Sequence, residues 1–459
     1  MGSSISVRFD GGTLCVEGAP AAIDALRVHV DLKWDPRTLG YRAPAYEAAA
    51  IVDARTVGPP PWPAEDVPAG AWRAPELRPY QSDALTAWRA FAGRGVVVLP
   101  TGAGKTRVAL AALHATRAPA LILCPTRALL EQWRRELATY FSGPIGVVGD
   151  GQMSFGAITI MTFESAYRRM DTLGDRFRML VVDEVHNFGG GGRSECLEMC
   201  TAPFRLGLTA TAPPVGSAAL ARLDRLVGPV VCDIGLGELL GTHLSELTIV
   251  RLPVELSAEE AEEYHREYTP FTRLRADLMK SAPGADWQTL VHVLSKSAAG
   301  RDALRGFRRA VAISSLPAAK RARARNLLAL HRGDTSLLFT ASTDDAYTVA
   351  KENLIPVITA ETARRERERV LSGFREGTLR SLVSARVLNE GFDVPEARIA
   401  ILLGAAMGAR EQLQRIGRVL RKAPDKRAVV YELFTRGTVD DRRAQSRRRQ
   451  LATRCAALR

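Results

Sequence analysis

No apolar run in the chain approaches the ~18 residues that a membrane span needs. The N-terminal stretch MGSSISVRFDGG also lacks the apolar core of a secretion signal. Together these absences predict a cytoplasmic protein with no membrane association. Cysteine is sparse, with six among 459 residues, at positions 15, 124, 196, 200, 232 and 455. Cys196 and Cys200 have no second pair to complete a metal site, so all six read as reduced, structural thiols. Acidic residues are outnumbered: 63 Lys and Arg face 50 Asp and Glu, for a net charge of +13. The imbalance is local, because residues 410–459 hold 15 basic and 5 acidic side chains. Such a surplus suggests a polyanionic partner, most often nucleic acid. For RRAQSRRRQ (442–450) a solvated, partly disordered tail is an equal alternative.

What is present is an orderly alternation. Residues 1–57 hold short alternating stretches and one helical run, which suits a small α+β domain. Residues 58–74 are Pro-rich and read as a linker. From 75 to 240, apolar strands (GVVVLP, ALILCP, AITIMT, MLVVDE, RLGLTA) alternate with amphipathic helical stretches, the pattern of a parallel sheet covered on both faces. Residues 257–331 lack strand signals and read as a helical insertion. The strand–helix rhythm returns over 335–436 and predicts a second parallel sheet. Residues 437–459 read as a basic C-terminal tail. The fold class is therefore α/β, with two lobes in tandem.

LPTGAGKT (99–106) lies between an apolar strand and a helix. Gly102 and Gly104 allow backbone N–H groups to face a β-phosphate, and the helix N-terminus adds its positive dipole end. Lys105 can reach the β and γ oxygens, and the Thr106 hydroxyl can hold Mg²⁺. Thr101 and Ala103 complete the loop, so the stretch predicts ATP as ligand. Leu99 stands where the full pattern asks for glycine. MLVVDEVHNF (179–188) supplies a strand ending in two carboxylates. Asp183 is the candidate to hold Mg²⁺, and Glu184 to orient or deprotonate the attacking water. Near the C-terminus, Arg415, Arg418 and Arg421 in QLQRIGRVLRK (412–422) fall at i, i+3 and i+6, one face of a helix. They form either a solvated stripe or a device aimed at an anion.

TGAGKT, DEVH, LTATAP (208–213) and QRIGRVLR (414–421) resemble, in order and spacing, motifs I, II, III and VI of superfamily-two helicases. The chain is more closely similar to the XPB family of DNA helicases in its compact archaeal and bacterial form. LRPYQSDAL (77–85), CPTRALLEQW (124–133), MTFESAY (161–167), SLLFTAS, FREG and VLNEGFDVPEA extend the correspondence. WDPRTLGYRAPAY resembles part of that family's damage-recognition domain.

The resemblance implies two RecA-like lobes, with 257–331 in the place of a thumb. It implies that Arg78 and Gln81 read the adenine, and that Gly391 and Asp393 lie near the ribose. It assigns coupling to His186, Thr209 and Thr211, and γ-phosphate contacts to Gln414, Arg418 and Arg421. It places Thr126, Arg127, Thr162, Thr340 and Ser384 on the phosphate backbone of the tracked DNA strand, with movement in the 3′ to 5′ direction. A structure-specific nuclease partner is also implied. The family carries an Arg-Glu-Asp triplet after motif III, and residues 209–228 have none, although Arg222, Asp224 and Arg225 lie there. Two alternatives therefore stand beside an ATP-dependent DNA helicase acting in repair or related processing: a duplex translocase that does not separate strands, and an ATP-gated platform for a nuclease.

Overall fold

The structure is a computed structural model and describes residues 5–53, 59–149, 151–239, 243, 246–385, 397–404 and 427–456. At the N-terminus, β1 (Ile5–Asp10), β2 (Thr13–Gly18), β3 (Lys33–Asp35) and β4 (Gly40–Pro44) form an antiparallel sheet in the order β1-β2-β4-β3. β1 and β2 are joined by Gly11-Gly12, both at positive φ, as a two-residue hairpin of this twist requires. Ile5, Leu14, Val16, Ile23, Leu26 and Ile51 form the core of this domain.

The Pro-rich stretch is bound along its way rather than free. Val67 is buried and its N–H donates to the Arg117 carbonyl at 2.7 Å. The Arg178 guanidinium donates to the Ala64 carbonyl at 2.7 Å and pairs with Asp66. Trp72 forms a bridge with Phe141. Tyr46 of the N-terminal domain packs against the core of the following sheet, and Arg225 lies over its ring at 5.9 Å. The N-terminal domain and the first large sheet thus form one compact unit.

That sheet has eight strands: β5 (Arg94–Val98), β6 (Ala120–Cys124), β7 (Ile145–Gly149), β8 (Gln152–Ser154), β9 (Ile158–Thr162), β10 (Met179–Asp183), β11 (Phe204–Thr209) and β12 (Val230–Asp233). Their order is β12-β5-β11-β10-β6-β9-β7-β8, all parallel except β8. Strands β6, β9 and β10 are buried at every residue, which explains their unbroken apolar runs. Val98, Cys124, Thr162, Asp183 and Thr209 are each the last residue of a strand. The carboxyl edge of the sheet therefore collects the candidate site, as open α/β sheets generally do.

The second unit holds a six-stranded parallel sheet: β13 (Glu246–Val254), β14 (Ser336–Thr340), β15 (Val357–Ile358), β16 (Ser381–Ala385), β17 (Ile399–Leu402) and β18 (Arg427–Thr435), ordered β13-β18-β17-β14-β16-β15. The sequence rhythm starts this sheet at 335, but β13 joins it from before the insertion. β13 is a largely exposed edge strand carrying Pro253, so it lacks the apolar run that betrays a central strand. The insertion consists of helices Ala258–Ser281, Trp287–Ser295, Ala298–Ser315 and Ala318–Leu330. The first opens with a capping box in which Ser257 and Glu260 satisfy each other's backbone N–H groups.

Residues 439–456 depart from the expectation of a basic tail. Val439–Ala456 is a helix packed on Ala298–Ser315 and on β18. Asp440, Ala444 and Arg447, at i, i+4 and i+7, turn inward and are buried. Fully buried Lys320 donates to Asp440 at 2.6 Å and to the carbonyls of Ser314, Ser315 and Leu403. Arg447 donates to buried Glu432 at 3.1 Å. Among the described residues no helix is long and apolar enough to cross a membrane.

Candidate functional site

The loop after β5 is held from both sides. Leu99 N–H donates to the Thr209 carbonyl at 3.0 Å, tying the loop to the end of β11. Tyr80 Oη and Gln81 Nε2 each donate to the Ala103 carbonyl at 2.8 Å, while Gln81 Oε1 accepts from Arg78 N–H at 2.9 Å. Gln81 is buried and uses both ends of its amide to clasp the loop. Gly104 sits at φ +79°, and a Cβ there would meet Gln81 Nε2 at 2.4 Å, so both conformation and space require glycine. The helix Lys105–Thr116 starts directly after it. Lys105 Nζ donates to the Leu99 carbonyl at 3.3 Å, inside the turn whose backbone N–H groups would receive phosphate.

β10 ends beside this loop. Asp183 is buried, with Oδ1 accepting from Glu184 N–H at 3.0 Å and Oδ2 from Trp133 Nε1 at 3.0 Å. Burial, and then the charge of Glu184, push the Asp183 carboxyl up to about 6, while Lys105 and the indole N–H pull the other way. Glu184 adopts left-handed backbone at φ +51°, which turns its side chain away from the strand line. Its Oε2 lies 3.3 Å from His186 Nδ1, and the same nitrogen lies 3.0 Å from Thr209 Oγ1. Thr209 Oγ1 donates to the Thr211 carbonyl at 3.0 Å and accepts from Thr211 N–H at 3.2 Å. His186, Thr209 and Thr211 are thus linked by hydrogen bonds, with the Glu184 carboxylate beside the same His186 nitrogen, and the Thr209 carbonyl ties this group to the loop after β5.

Among the described residues no three His, Cys, Asp or Glu side chains gather into a metal cage. One buried carboxylate, Asp183, and one hydroxyl, Thr106, suit Mg²⁺, which binds through one or two protein oxygens together with substrate phosphates.

A second group lies farther along the same edge. Thr126 caps the helix Arg127–Tyr140, accepting from Leu129 N–H at 3.3 Å, and Thr162 caps Phe163–Tyr167, accepting from Ser165 N–H at 3.3 Å. Arg127, Thr162, Ser165, Arg168 and Arg169 line a cleft of about 500 Å³, together with Glu164, which pairs with Arg168. In the second unit, Thr340 and Ser384 are buried at the ends of β14 and β16, and Thr340 Oγ1 donates to the Ser342 carbonyl at 2.9 Å. Neither hydroxyl is presented to solvent here. Gly391, Asp393, Gln414, Arg418 and Arg421 lie outside the described residues. Arg222 donates to the Gly189 carbonyl at 2.7 Å, and Arg225 lies 3.6 Å from Glu198, so both stand in structural contacts within the first unit.

Trp133 is the residue that sequence reasoning missed. Leu130, Trp133 and Leu137 share the buried face of their helix, so periodicity alone files the indole with the core. The available signal is chemical: a buried tryptophan generally finds an acceptor for its N–H.

The TGAGKT turn at the carboxyl edge of one parallel sheet, with a second parallel sheet following it, is the two-lobe α/β arrangement of helicase cores. Family models agree: residues 74–214 match "Type III restriction enzyme, res subunit" and residues 319–423 match "Helicase conserved C-terminal domain". Residues 7–55 match "Xeroderma pigmentosum group B helicase damage recognition domain". The chain is 37% identical over 376 residues to the DNA 3'-5' translocase XPB2 of Sulfurisphaera tokodaii, covering 81% of this chain and 84% of that one. It is 31% identical over 453 residues to the DNA 3'-5' helicase XPB of Kineococcus radiotolerans, covering 95% and 72%. The helicase domain of Hef from Pyrococcus furiosus shares the fold at TM-score 0.51 and 16% identity, over 81% of this chain and 98% of that one. The chain belongs to the XPB family of superfamily-two helicases.

Proposed function

We propose that the protein is an ATP-driven motor that moves 3′ to 5′ along DNA, with its hydrolytic machinery built on the first sheet. The observation that carries this reading is the placement of Glu184 beside His186, which is hydrogen-bonded to Thr209 of motif III, whose carbonyl in turn holds the loop after β5. Lys105 binds the β and γ oxygens, and the amides around Gly102 and Gly104 cradle the phosphates. Arg78 and Gln81 lie on the adenine side. Asp183 and Thr106 would hold Mg²⁺, which would supply charge neutralisation for the phosphates. Glu184 orients the attacking water and takes its proton. His186 senses that carboxylate and passes its state to Thr209 and Thr211.

The cleft of Arg127, Thr162, Ser165, Arg168 and Arg169 offers hydroxyls, cations and two helix N-terminal caps, a combination suited to DNA backbone phosphates without regard to sequence. The roles of Gly391, Asp393, Gln414, Arg418 and Arg421 rest on the family resemblance, which makes Arg418 and Arg421 the arginine fingers and gives the nuclease partner. The names of the relatives, translocase and helicase, support the motor over a static platform. The test is ATP hydrolysis with and without single-stranded DNA. DNA should stimulate turnover in the wild type, and Lys105→Ala should lower it by ~10²-fold or more. DNA-independent turnover, or turnover surviving Lys105→Ala, would overturn the reading.

A further inference from the structure

The helix Arg127–Tyr140 touches both the phosphate-suited cleft and the catalytic carboxylate. Its first residue, Arg127, lines the cleft, and Thr126 caps it there. Leu130, one turn on, lies beneath the cleft: a Cβ at Gly149 would meet Leu130 Cδ1 at 3.6 Å, Thr162 Cγ2 at 3.6 Å and Ser165 Oγ at 3.4 Å. Trp133, on the next turn of the same face, is 1% exposed and donates its indole N–H to Asp183 Oδ2 at 3.0 Å. The strand side of this path is equally tight. Cys124, at the end of β6, lies against the Thr126 and Met161 carbonyls at 3.6 Å.

Helices are stiff over two turns, and a packed core moves as a unit rather than deforming continuously. A shift of the helix N-terminus on binding phosphate must therefore displace the indole. The other Asp183 oxygen is fixed by the backbone N–H of Glu184. The indole is thus the adjustable contact on this carboxylate, set by a helix whose far end meets DNA.

We propose that Trp133 is a positioning residue that transmits occupancy of the Arg127–Thr162–Ser165 cleft to the Asp183 carboxylate, so that bound DNA strengthens the hold on the divalent cation and nucleotide. The proposal rests on the motor reading above and assigns the route by which DNA reaches the ATP site within the first unit. Thr126 and Arg127 feel the phosphates, Leu130 carries the displacement, and Trp133 delivers it.

The experiment uses the full chain and measures Mn²⁺ binding by electron paramagnetic resonance with a non-hydrolysed ATP analogue, with and without a single-stranded oligonucleotide. Oligonucleotide affinity is followed separately by fluorescence anisotropy. In the wild type, DNA should tighten Mn²⁺ binding several-fold. Trp133→Phe fills most of the site but has no N–H. Without nucleotide and metal it should bind the oligonucleotide as the wild type does, and it should weaken Mn²⁺ binding and abolish the DNA effect. If Trp133→Phe fails to fold, replacing the Trp133 indole by benzothiophene removes the donor while keeping the ring shape, and the same result is expected. An unchanged DNA effect in either variant would overturn the proposal, as would a wild type in which DNA leaves Mn²⁺ affinity unaltered. Failure of the wild type to bind nucleotide or DNA at all would instead strike the motor reading itself.

Discussion

Glu184, the proposed general base, shows most clearly how neighbours fix a single residue's conformation. A non-glycine residue at φ +51° is held in a sparsely populated conformation, which persists only where its neighbours fix it. Here the backbone N–H donates to Asp183 Oδ1, and the carbonyl accepts from Asn187 Nδ2 at 3.0 Å. The carboxylate is thereby placed beside His186, with Oε2 3.3 Å from Nδ1. Glu184→Gln keeps this shape and hydrogen bonding but cannot take a proton. Its turnover number should fall by ~10²-fold or more, with ATP-analogue and DNA affinities near those of the wild type. A loss of binding comparable to the loss of turnover would place Glu184 in ligand binding instead.

Residue-scale features differed in how far the sequence disclosed them. The TGAGKT loop and the Asp183–Glu184 pair are contiguous and flanked by a strand, so they were readable directly. His186 and Thr209 are 3.0 Å apart in space but separated along the chain, and only the family pattern joined them beforehand. The Trp133–Asp183 bond was invisible, because an indole on an apolar helix face has the same pattern whether or not its N–H reaches a carboxylate.

At the scale of elements, the C-terminal helix is the main departure from sequence expectation. Arg442 and Arg449 are exposed, while Arg448 donates to buried Glu432 at 3.2 Å, and the density of charge along the sequence alone reads as a solvated tail. The helix's inward face is polar too, Asp440 and Arg447 being stabilised by partners distant in sequence, so hydrophobic periodicity had little to show. Removing one partner of a buried pair leaves a charge uncompensated. Asp440→Ala should therefore cost about 3–5 kcal/mol, read by chemical denaturation of the full chain. Lys320→Met combined with Asp440→Leu should recover much of that loss. If Asp440→Ala unfolds like the wild type, the helix is not anchored through this pair.

The N-terminal sheet makes a prediction about pH. The Arg37 side chain and backbone N–H, then Arg42, hold the Asp35 carboxyl well below the usual carboxylate range. The folded value is thus depressed relative to ~4 in the unfolded chain. The resulting stability is fully present above ~4 and is lost as pH falls toward the folded value. Thermal unfolding between about pH 5 and pH 3 should show the wild type losing stability more steeply than Asp35→Asn. Parallel profiles would remove Asp35 from the acid response.

On the scale of the whole molecule, the chain combines an N-terminal domain bound to the first sheet by its Pro-rich strap, a second parallel sheet, and a surplus of cations. The tandem-sheet organisation was legible because buried parallel strands and amphipathic helices have distinct periods. Edge strand β13 was not, because exposure on one side removes the apolar run. Phosphate contacts release counterions, so DNA affinity should fall by roughly 10²–10³-fold between 50 and 200 mM salt if about six phosphates are engaged. Salt-insensitive binding would exclude a backbone-tracking mode.

Directed movement is the property that separates this reading from every static alternative. The direct measurement is ATP-dependent displacement of a labelled strand, or of a triplex-forming strand, from DNA carrying either a 3′ or a 5′ single-stranded tail. A 3′ to 5′ motor displaces the label from the 3′-tailed substrate, and the displacement disappears in Lys105→Ala. Loss of only the triplex strand would identify a duplex translocase, in keeping with the absent Arg-Glu-Asp triplet. ATP turnover with no displacement of either kind would contradict the assignment as a motor.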